Sequence, residues 1–307
     1  MTKKEKQRVQ YRSWKKSYYH LSTDGWKDGH LFHTPSQYAY GMTLIGLLTL
    51  RFDIRVYAFS LMRNHLHMLV SGTGSACVEA FDYLKRKINA RLVKDGFPLL
   101  PDDYWFKLVP IDSQEQMKND MIYIDRNAYE IQSCVPSGYI WSSSYLHFSQ
   151  VGKMLFSREA GTISKREMER LTGSRTPIPP HWQFHPEYGL LPSSFIDNSL
   201  FLRLFPNPKD YETSLVKDYE SFVRVAASLG ETVSFSQNEV KDIVRQILNA
   251  QFSGRPINRL SHDEKAKIVL ILNSQYKMPA EQIGETLSLP EFLVRQFIRA
   301  KDYGNER

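Results

Sequence analysis

Residues 59–72 read FSLMRNHLHMLVSG and contain two histidines, His65 and His67, two positions apart. The intervening and following residues, Leu66 and Met68, are apolar. Because successive side chains of a β-strand point to opposite faces, a strand here places both imidazoles on one face and the apolar pair on the other. Two imidazoles on one rigid strand suit a divalent metal ion. Taken alone, the pattern favours two histidines at a sheet surface that bind no metal.

The residues on either side of this stretch predict an α+β domain. Helical spacing is expected over residues 35–51, where Thr34 is the N-cap and Pro35 the first helical residue, and again over residues 76–94. Strands are predicted at 16–23, 54–62, 64–70 and 105–111. The order strand, helix, strand, strand, helix, strand predicts a ferredoxin-like antiparallel sheet with helices on one face.

A further helix follows the fourth predicted strand. Ser113 and Gln116 have the spacing of a capping box, which predicts a helix that continues to about Arg126. Tyr123 and Asn127 are four positions apart, so they lie on one helix face, one turn from each other.

Three motifs in this part of the chain resemble those of single-tyrosine transposases with a His-hydrophobe-His signature (HUH endonucleases), most closely the REP-associated tyrosine transposases. Residues 62–67, MRNHLH, are similar to the family's Met-Pro-Asn-His-Val-His, with Arg63 in place of proline. Residues 123–127, YIDRN, resemble its Tyr-Ile-His-x-Asn, with Asp125 in place of histidine. Residues 141–145, WSSSY, resemble its Trp-Ser-Ser-Tyr with one extra serine. The resemblance covers about residues 16–150.

The resemblance implies metal-dependent nicking and rejoining of single-stranded DNA, on hairpin or repeat DNA, through a 5′-phosphotyrosine intermediate. It implies that Tyr123 is the nucleophile and that His65, His67 and Asn127 are the metal ligands. Neutral imidazoles and an amide oxygen accept either Mg²⁺ or Mn²⁺.

Other interpretations stay open. Arg63 and Asp125 depart from the family pattern, which suits a non-catalytic, domesticated DNA-binding protein or regulator; an RNA-processing nuclease is a third hypothesis. Tyr104 and Tyr129 are the alternative nucleophiles. His20, like the remaining histidines, has no partner at a recognisable spacing and is expected to have no part in the site.

Positive charge is concentrated at the N-terminus. The chain carries a net charge of +7, and residues 1–16 hold seven basic residues against one acidic residue, which is +6. With Tyr11 and Trp14 interleaved, this segment predicts a basic arm that contacts nucleic-acid phosphates and bases, although a solvated tail without a partner has the same composition. The predicted DNA-contacting residues are Lys15, Lys16, Lys85, Arg86, Lys87, Arg91, Arg295 and Arg299.

The C-terminal part of the chain reads as helical. Capping boxes are predicted at Ser236 and Ser261. Three short helices over about 262–275, 280–287 and 291–301 indicate a helix-turn-helix. Residues 261–307 carry seven basic and seven acidic side chains, a balance that suits packing or dimerisation as well as DNA contact. The predicted organisation is an arm over 1–16, a catalytic domain over 17–150, a linker and mixed region over 151–235 and a helical domain over 236–307.

Composition excludes several classes of protein. A hydrophobic share of 42% supports packed cores rather than disorder. Two cysteines are too few for a disulfide scaffold and suit a reducing cytoplasm. The apolar stretch over 42–50 is much shorter than the roughly 20 residues that span a bilayer. We therefore expect a soluble, cytoplasmic protein that does not associate with a membrane. The resemblance implies single-stranded or hairpin DNA as its partner, and both a monomer and a homodimer stay open.

Overall fold

The computed structural model describes residues 2–23, 29–131, 134–217 and 219–304. The chain forms two compact units. The first unit comprises the chain up to residue 128 together with residues 134–211, and the second comprises residues 212 onward with a short segment that starts at Tyr129. This division differs from the predicted boundaries after residues 150 and 235.

The helices and strands of the first unit follow one another in this order: α1 (Lys3–Arg12), β1 (Ser17–Thr23), α2 (Pro35–Arg51), β2 (Ile54–Leu61), β3 (Leu66–Gly72), α3 (Gly74–Lys94), β4 (Phe106–Ile111), α4 (Gln114–Arg126), α5 (Val151–Met154), β5 (Arg158–Glu159), α6 (Lys165–Thr172), β6 (Gln183–His185), β7 (Gly189–Leu190) and α7 (Asn198–Leu204). A further helix, α8 (Pro208–Lys217), begins in the first unit and ends in the second.

The main sheet has four strands in the order β2-β3-β1-β4, with each neighbouring pair antiparallel. This is the ferredoxin-like order, so the predicted fold class is confirmed. Tyr19, Leu21 and Met68 enter the core that the sheet forms with α2 and α3. His20 and His67 alternate with them, so they lie on the opposite face, where α4 contacts β2 and β3.

Side-chain caps define where the helices begin. The Thr34 hydroxyl accepts a hydrogen bond from the Gln37 N–H, and Pro35 is the first residue of α2, as predicted. At α4 the Ser113 hydroxyl accepts from the Gln116 N–H. The Gln116 side chain accepts from the N–H of Asp112 and not from that of Ser113, so the predicted capping box forms only in part.

Helix α2 is buried on nearly every side. All residues from Gly41 to Leu48 are buried, because the sheet covers one side and the small sheet β5-β6-β7 covers another. The small sheet brings Trp182, Phe184 and Leu190 into a second apolar cluster, which Leu50 of α2 joins. Residues 176–192, which lie in the predicted linker and mixed region, are therefore part of the packed first unit.

The N-terminal segment is not an extended arm. Thr2 and Glu5 form a capping box at the start of α1, and the helix packs on α3. Tyr11 is buried against Phe106, and the Trp14 ring stacks on Tyr19 with centroids 5.7 Å apart. Of the two aromatic residues predicted to contact bases, Tyr11 is therefore part of the protein core and Trp14 is partly buried against it.

The described residues of the second unit form five further helices after α8, namely α9 (Tyr219–Leu229), α10 (Gln237–Phe252), α11 (His262–Tyr276), α12 (Ala280–Leu287) and α13 (Glu291–Gly304). Both predicted capping boxes, at Ser236 and Ser261, are present. Pro279 is the N-cap of α12. The last three helices pack on one another, and the DNA contact predicted for them stays a prediction.

Candidate active site

Strand register brings a third histidine to His67. His20 of β1 lies opposite Leu69 of β3, and Ser22 lies opposite His67. His20 and His67 are therefore diagonal neighbours on the same face of the sheet. The His20 Nε2 atom is 3.0 Å from the His67 Nδ1 atom.

Helix α4 supplies a carboxylate that contacts His20. Asp120 and Tyr123 are three residues apart, so they share the helix face that packs on the sheet. The Asp120 Oδ1 atom is 2.5 Å from the His20 Nδ1 atom. Asp120, His20 and His67 are all buried, at 2% exposure or less.

One arrangement of protons satisfies the hydrogen bonds between Asp120, His20 and His67. An ionised Asp120 accepts the Nδ1 proton of His20, and the His20 Nε2 lone pair then accepts the Nδ1 proton of His67. This arrangement leaves the lone pair of His67 on Nε2. In metal sites, a carboxylate that accepts a proton from a histidine raises the basicity of the ligating nitrogen in the same way.

His67 is held in the neutral form. Burial lowers the pKa of its imidazole well below the ordinary value, and the neighbouring His65 and His20 lower it further. A neutral imidazole is the form that binds a metal ion.

His65 lies just before β3 and not within it, because the strand begins at Leu66. Its ring is perpendicular to that of His67, with centroids 5.0 Å apart. The His65 Nε2 atom is 3.2 Å from the Asn127 Oδ1 atom, and its Nδ1 atom is 2.8 Å from the Asn64 Oδ1 atom.

The Asn127 amide is oriented by the end of α4. Its Nδ2 group donates to the carbonyl oxygens of Tyr123 and Ile124, at 3.0 and 3.2 Å, which turns Oδ1 toward His65. The two oxygens that face His65 can only accept hydrogen bonds. His65 therefore satisfies both only when both of its nitrogens are protonated; with a single proton on Nδ1, its Nε2 lone pair opposes the lone pairs of Asn127.

A cation between His65 and Asn127 removes that repulsion. Two adjacent ligands of an octahedral Mg²⁺ ion, each about 2.1 Å from the metal, are about 3 Å apart. The separation of 3.2 Å between His65 Nε2 and Asn127 Oδ1 fits this arrangement. Within residues 2–23, 29–131, 134–217 and 219–304, no group of three or more His, Cys, Asp or Glu side chains is arranged to hold a metal ion. A donor set of two imidazoles and one amide therefore relies on Asn127.

Tyr123 packs against the histidines. Its ring centroid is 5.6 Å from that of His67 and 6.0 Å from that of His20. The residue is 5% exposed. The structure thus brings the four predicted site residues, Tyr123, His65, His67 and Asn127, to one end of α4.

Sequence reasoning missed His20 and Asp120. Forty-seven and 100 residues separate His20 from its two partners, so no local spacing connects them. The available signal was the predicted ferredoxin-like order, because that order places β1 beside β3 and makes a histidine on β1 a neighbour of one on β3.

The two departures from the family pattern lie outside this cluster. The Arg63 side chain is exposed, and its carbonyl oxygen accepts from the N–H groups of Leu31 and Phe32. Asp125 is buried on another side of α4, where it contacts His147 Nδ1 at 3.0 Å and the Tyr211 hydroxyl at 2.8 Å.

The residues of the WSSSY motif support the fold. Ser142 forms an antiparallel bridge with Ser60 at the edge of β2. The Ser143 hydroxyl accepts from the N–H of Phe59 at 2.9 Å. Trp141 stacks on Tyr38, with centroids 5.2 Å apart. The motif thus extends the β2 edge of the sheet.

The alternative nucleophile Tyr104 lies on the wrong side of the sheet. It is buried in the core with α2 and α3 and stacks on Phe81. Tyr129 lies in a short 3₁₀ helix, Asn127–Glu130, that directly follows α4.

The predicted DNA contacts of the first unit have different surroundings. Lys15 is exposed, and Lys16 forms an exposed ion pair with Asp53 at 3.1 Å. Lys85 is turned inward and donates to the carbonyl oxygens of Pro101, Asp102 and Tyr104.

The other three predicted DNA-contacting residues of α3 have two kinds of neighbour, a carboxylate or an aromatic ring. Arg91 pairs with Asp95, one turn along the helix. Arg86 and Lys87 lie beside the ring of Tyr83. The four predicted DNA-contacting residues of α3 therefore do not form one continuous basic stripe.

In the second unit, Arg295 pairs with Glu291, one turn earlier on α13. Arg299 lines the same shallow surface cavity as Phe292, which is 71% exposed.

No protein-family model and no curated protein matches the chain. Among solved structures, the chain is similar to a REP-associated tyrosine transposase bound to a REP hairpin, at 14% identity and a TM-score of 0.36. The match covers 47% of this chain and 86% of that one. A likeness of this size does not establish a function for the chain. No helix in the described part of the chain is long and apolar enough to cross a membrane.

Proposed function

We propose that this protein cleaves and rejoins single-stranded DNA through a covalent bond between Tyr123 and a DNA phosphate. The observation that carries the proposal is the convergence of Tyr123, His65, His67 and Asn127 at one end of α4. The sequence resemblance to the REP-associated tyrosine transposases supports hairpin or repeat DNA as the substrate.

The side chains divide the work. His65 Nε2, His67 Nε2 and Asn127 Oδ1 would hold a divalent ion, Mg²⁺ or Mn²⁺, which when bound supplies positive charge to the non-bridging oxygens of a phosphate. Asp120 and His20 hold His67 in the tautomer with its lone pair on Nε2. Sheet and helix packing keep these groups in place without reorganisation.

The covalent step exchanges one ester for another. The Tyr123 Oη atom bonds to phosphorus, and the bond from phosphorus to the 3′ oxygen of the preceding nucleotide breaks. The proton lost from Tyr123 balances the one that the departing 3′ oxygen gains. Because an ester replaces an ester, a 3′-hydroxyl can reverse the step and rejoin the strand without ATP.

The test is a search for the covalent adduct. The protein is incubated with a library of single-stranded hairpins and Mn²⁺, and denatured complexes are separated by gel. Peptide mass spectrometry of nuclease-trimmed adducts then identifies the modified residue. We expect Tyr123 joined to the 5′ phosphate of the cut strand.

Tyr123→Phe is the matched control. It keeps the ring that packs on His67 and His20 but removes the attacking oxygen, so the free energy of unfolding should change by at most about 1–2 kcal/mol. DNA affinity should persist, while cleavage and the adduct disappear. An adduct that persists in this variant would move the nucleophile to another residue.

One observation favours a second candidate function. Tyr123 is 5% exposed, so little of its side chain is accessible to a phosphate. A non-catalytic DNA-binding protein needs no access to this residue. This alternative predicts DNA binding in EDTA, normal Mn²⁺ binding and no adduct with any hairpin.

A further inference from the structure

A basic cavity of about 510 Å³ opens on the first unit, between α3, the end of α2 and the residues that follow α6. Four cationic side chains line it: Arg51, Arg86, Lys87 and Arg175. Glu169 is the acidic residue among its lining residues.

The positive charge of the cavity is not balanced by the protein. Among the described residues, none of these four cations has a carboxylate within ion-pair distance. With Glu169 counted, the cavity carries a net charge of +3. Like charges held together in a concave site repel one another, and a polyanion removes that repulsion.

The cations are arranged around Tyr83. The guanidinium of Arg51 lies 4.8 Å from the ring centroid, that of Arg86 lies 5.7 Å away, and the Lys87 ammonium lies 5.6 Å away. The ring is 4% exposed, and its hydroxyl has no hydrogen-bond partner among the described residues.

Two of the cations are fixed by main-chain and side-chain contacts. Lys87 donates to the carbonyl oxygen of Gly173 at 2.7 Å, and Arg51 donates to the Thr176 hydroxyl at 2.8 Å. Burial lowers the pKa of Lys87, and Arg51 and Arg86 lower it further. Arg86 and Arg175 are exposed and donate no hydrogen bond to a described residue.

The cavity is separate from the candidate active site. It lies on the α2 and α3 side of the sheet, whereas His67 and Tyr123 lie on the α4 side. Because cations cover the Tyr83 ring, the cavity offers no free aromatic face for a base to stack on. It therefore suits phosphates rather than bases.

We propose that this cavity binds consecutive phosphodiester groups of a single-stranded DNA backbone, independently of base sequence. Each backbone phosphate carries one negative charge, so two or three of them match the net charge of the cavity. The choice of DNA as the polyanion rests on the proposed function. The choice of phosphate as the bound group rests only on the cations that line the cavity.

The test compares two double variants that lose the same charge. Arg86→Gln with Arg175→Gln removes two cations of the cavity that hold no other element in place. Lys94→Gln with Lys165→Gln removes two exposed cations, one from α3 and one from α6, that do not line the cavity. Affinity for a labelled oligothymidylate is measured by fluorescence anisotropy in EDTA over a range of salt concentrations.

We expect the cavity variant to lose affinity about tenfold, with the slope of log K against log salt reduced by about 1.4, or 0.7 for each lost phosphate contact. The control variant should lose less than about twofold. Equal losses in the two variants would overturn the proposal.

Pyrophosphate distinguishes the two sources of phosphate. Titration calorimetry with pyrophosphate alone is carried out on the wild type and the cavity variant. Pyrophosphate binding that the variant loses, with oligothymidylate binding unchanged, would assign the cavity to a small phosphate and reject the DNA backbone. Because DNA binding is measured in EDTA, failure to form a Tyr123 adduct would reject the proposed cleavage and leave this result intact.

Discussion

Individual histidines at the candidate site differ in how much of the fold depends on them. His65 is half-buried and lies before β3, whereas His67 is 1% exposed and bonded to His20. Removal of the His67 ring leaves a cavity and takes a partner away from a buried imidazole. Removal of the half-buried His65 ring leaves a smaller cavity and takes no partner away from a buried imidazole that depends on it as His20 does on His67.

We therefore expect His65→Ala to remove metal-dependent nicking at a cost of less than about 1 kcal/mol in stability. His67→Ala should also remove nicking, but it should lower the free energy of unfolding by about 2–4 kcal/mol. Chemical denaturation and a nicking assay measure the two effects separately. Wild-type nicking in folded His65→Ala would exclude His65 as a ligand.

We expect Asp120 to act through His20 and His67 as a positioning residue for the proposed metal site. Asp120→Asn keeps the size of the side chain but removes the charge that favours the Nδ1 proton of His20. Loss of such a carboxylate partner typically weakens metal binding by about 10–100-fold, which calorimetry with Mn²⁺ can measure. The control is Asp112→Asn, at an exposed position just before α4. Unchanged Mn²⁺ affinity in a folded Asp120→Asn protein would show that the contacts between Asp120, His20 and His67 serve only packing.

At the scale of elements, the docking of α1 depends on a glycine. Gly74 is the first residue of α3, and a Cβ atom there would lie 1.8 Å from the carbonyl oxygen of Tyr11. The obstacle is backbone, so rotation of a side chain cannot relieve it. α1 reaches its place on α3 because residue 74 has no side chain.

Gly74→Ala should consequently displace α1 and destabilise the protein by about 3 kcal/mol, because the displacement also exposes Tyr11. Limited proteolysis should then cut within residues 3–12. Gly138→Ala is the control, because the nearest atom to its Cβ is Val135 Cγ2 at an ordinary 3.7 Å. Equal thermal stability of the two variants would contradict this account of the docking.

At the scale of the whole molecule, the second unit has a core of its own. Ile243, Val269, Leu272, Ile283 and Val294 are fully buried within it. A set of packed helices with its own apolar interior can fold as an independent domain.

We expect the fragment of residues 212–307 to be helical and to unfold in one cooperative transition. Circular dichroism during thermal denaturation provides the measurement. A gradual loss of signal, without a transition, would show that this unit depends on the rest of the chain. The same fragment, mixed with labelled DNA, tests whether Arg295 and Arg299 contact nucleic acid.

Local features of the chain could be predicted from the sequence because they depend on residues a few positions apart. Thr34 and Pro35 start α2, and Ser236 and Ser261 cap α10 and α11, since each cap is a bond to an N–H three residues ahead. The strand and helix order predicted the sheet topology because few arrangements suit that order. Tyr123 and Asn127 share a helix face through the pitch of the helix alone.

Only the tertiary structure determines the contacts between residues that are distant in the sequence. His20, Asp120 and His67 meet only when β1 pairs with β3 in this register and α4 packs across them. The order of the strands predicts that pairing, but no spacing in the sequence specifies its register or the position of α4. The basic segment of residues 1–16 carries the charge of a nucleic-acid arm. In the folded protein, however, α1 packs on α3, and Tyr11 and Trp14 pack against aromatic side chains of the sheet. Composition sets which side chains favour burial; the shape of the folded protein decides where each of them is buried.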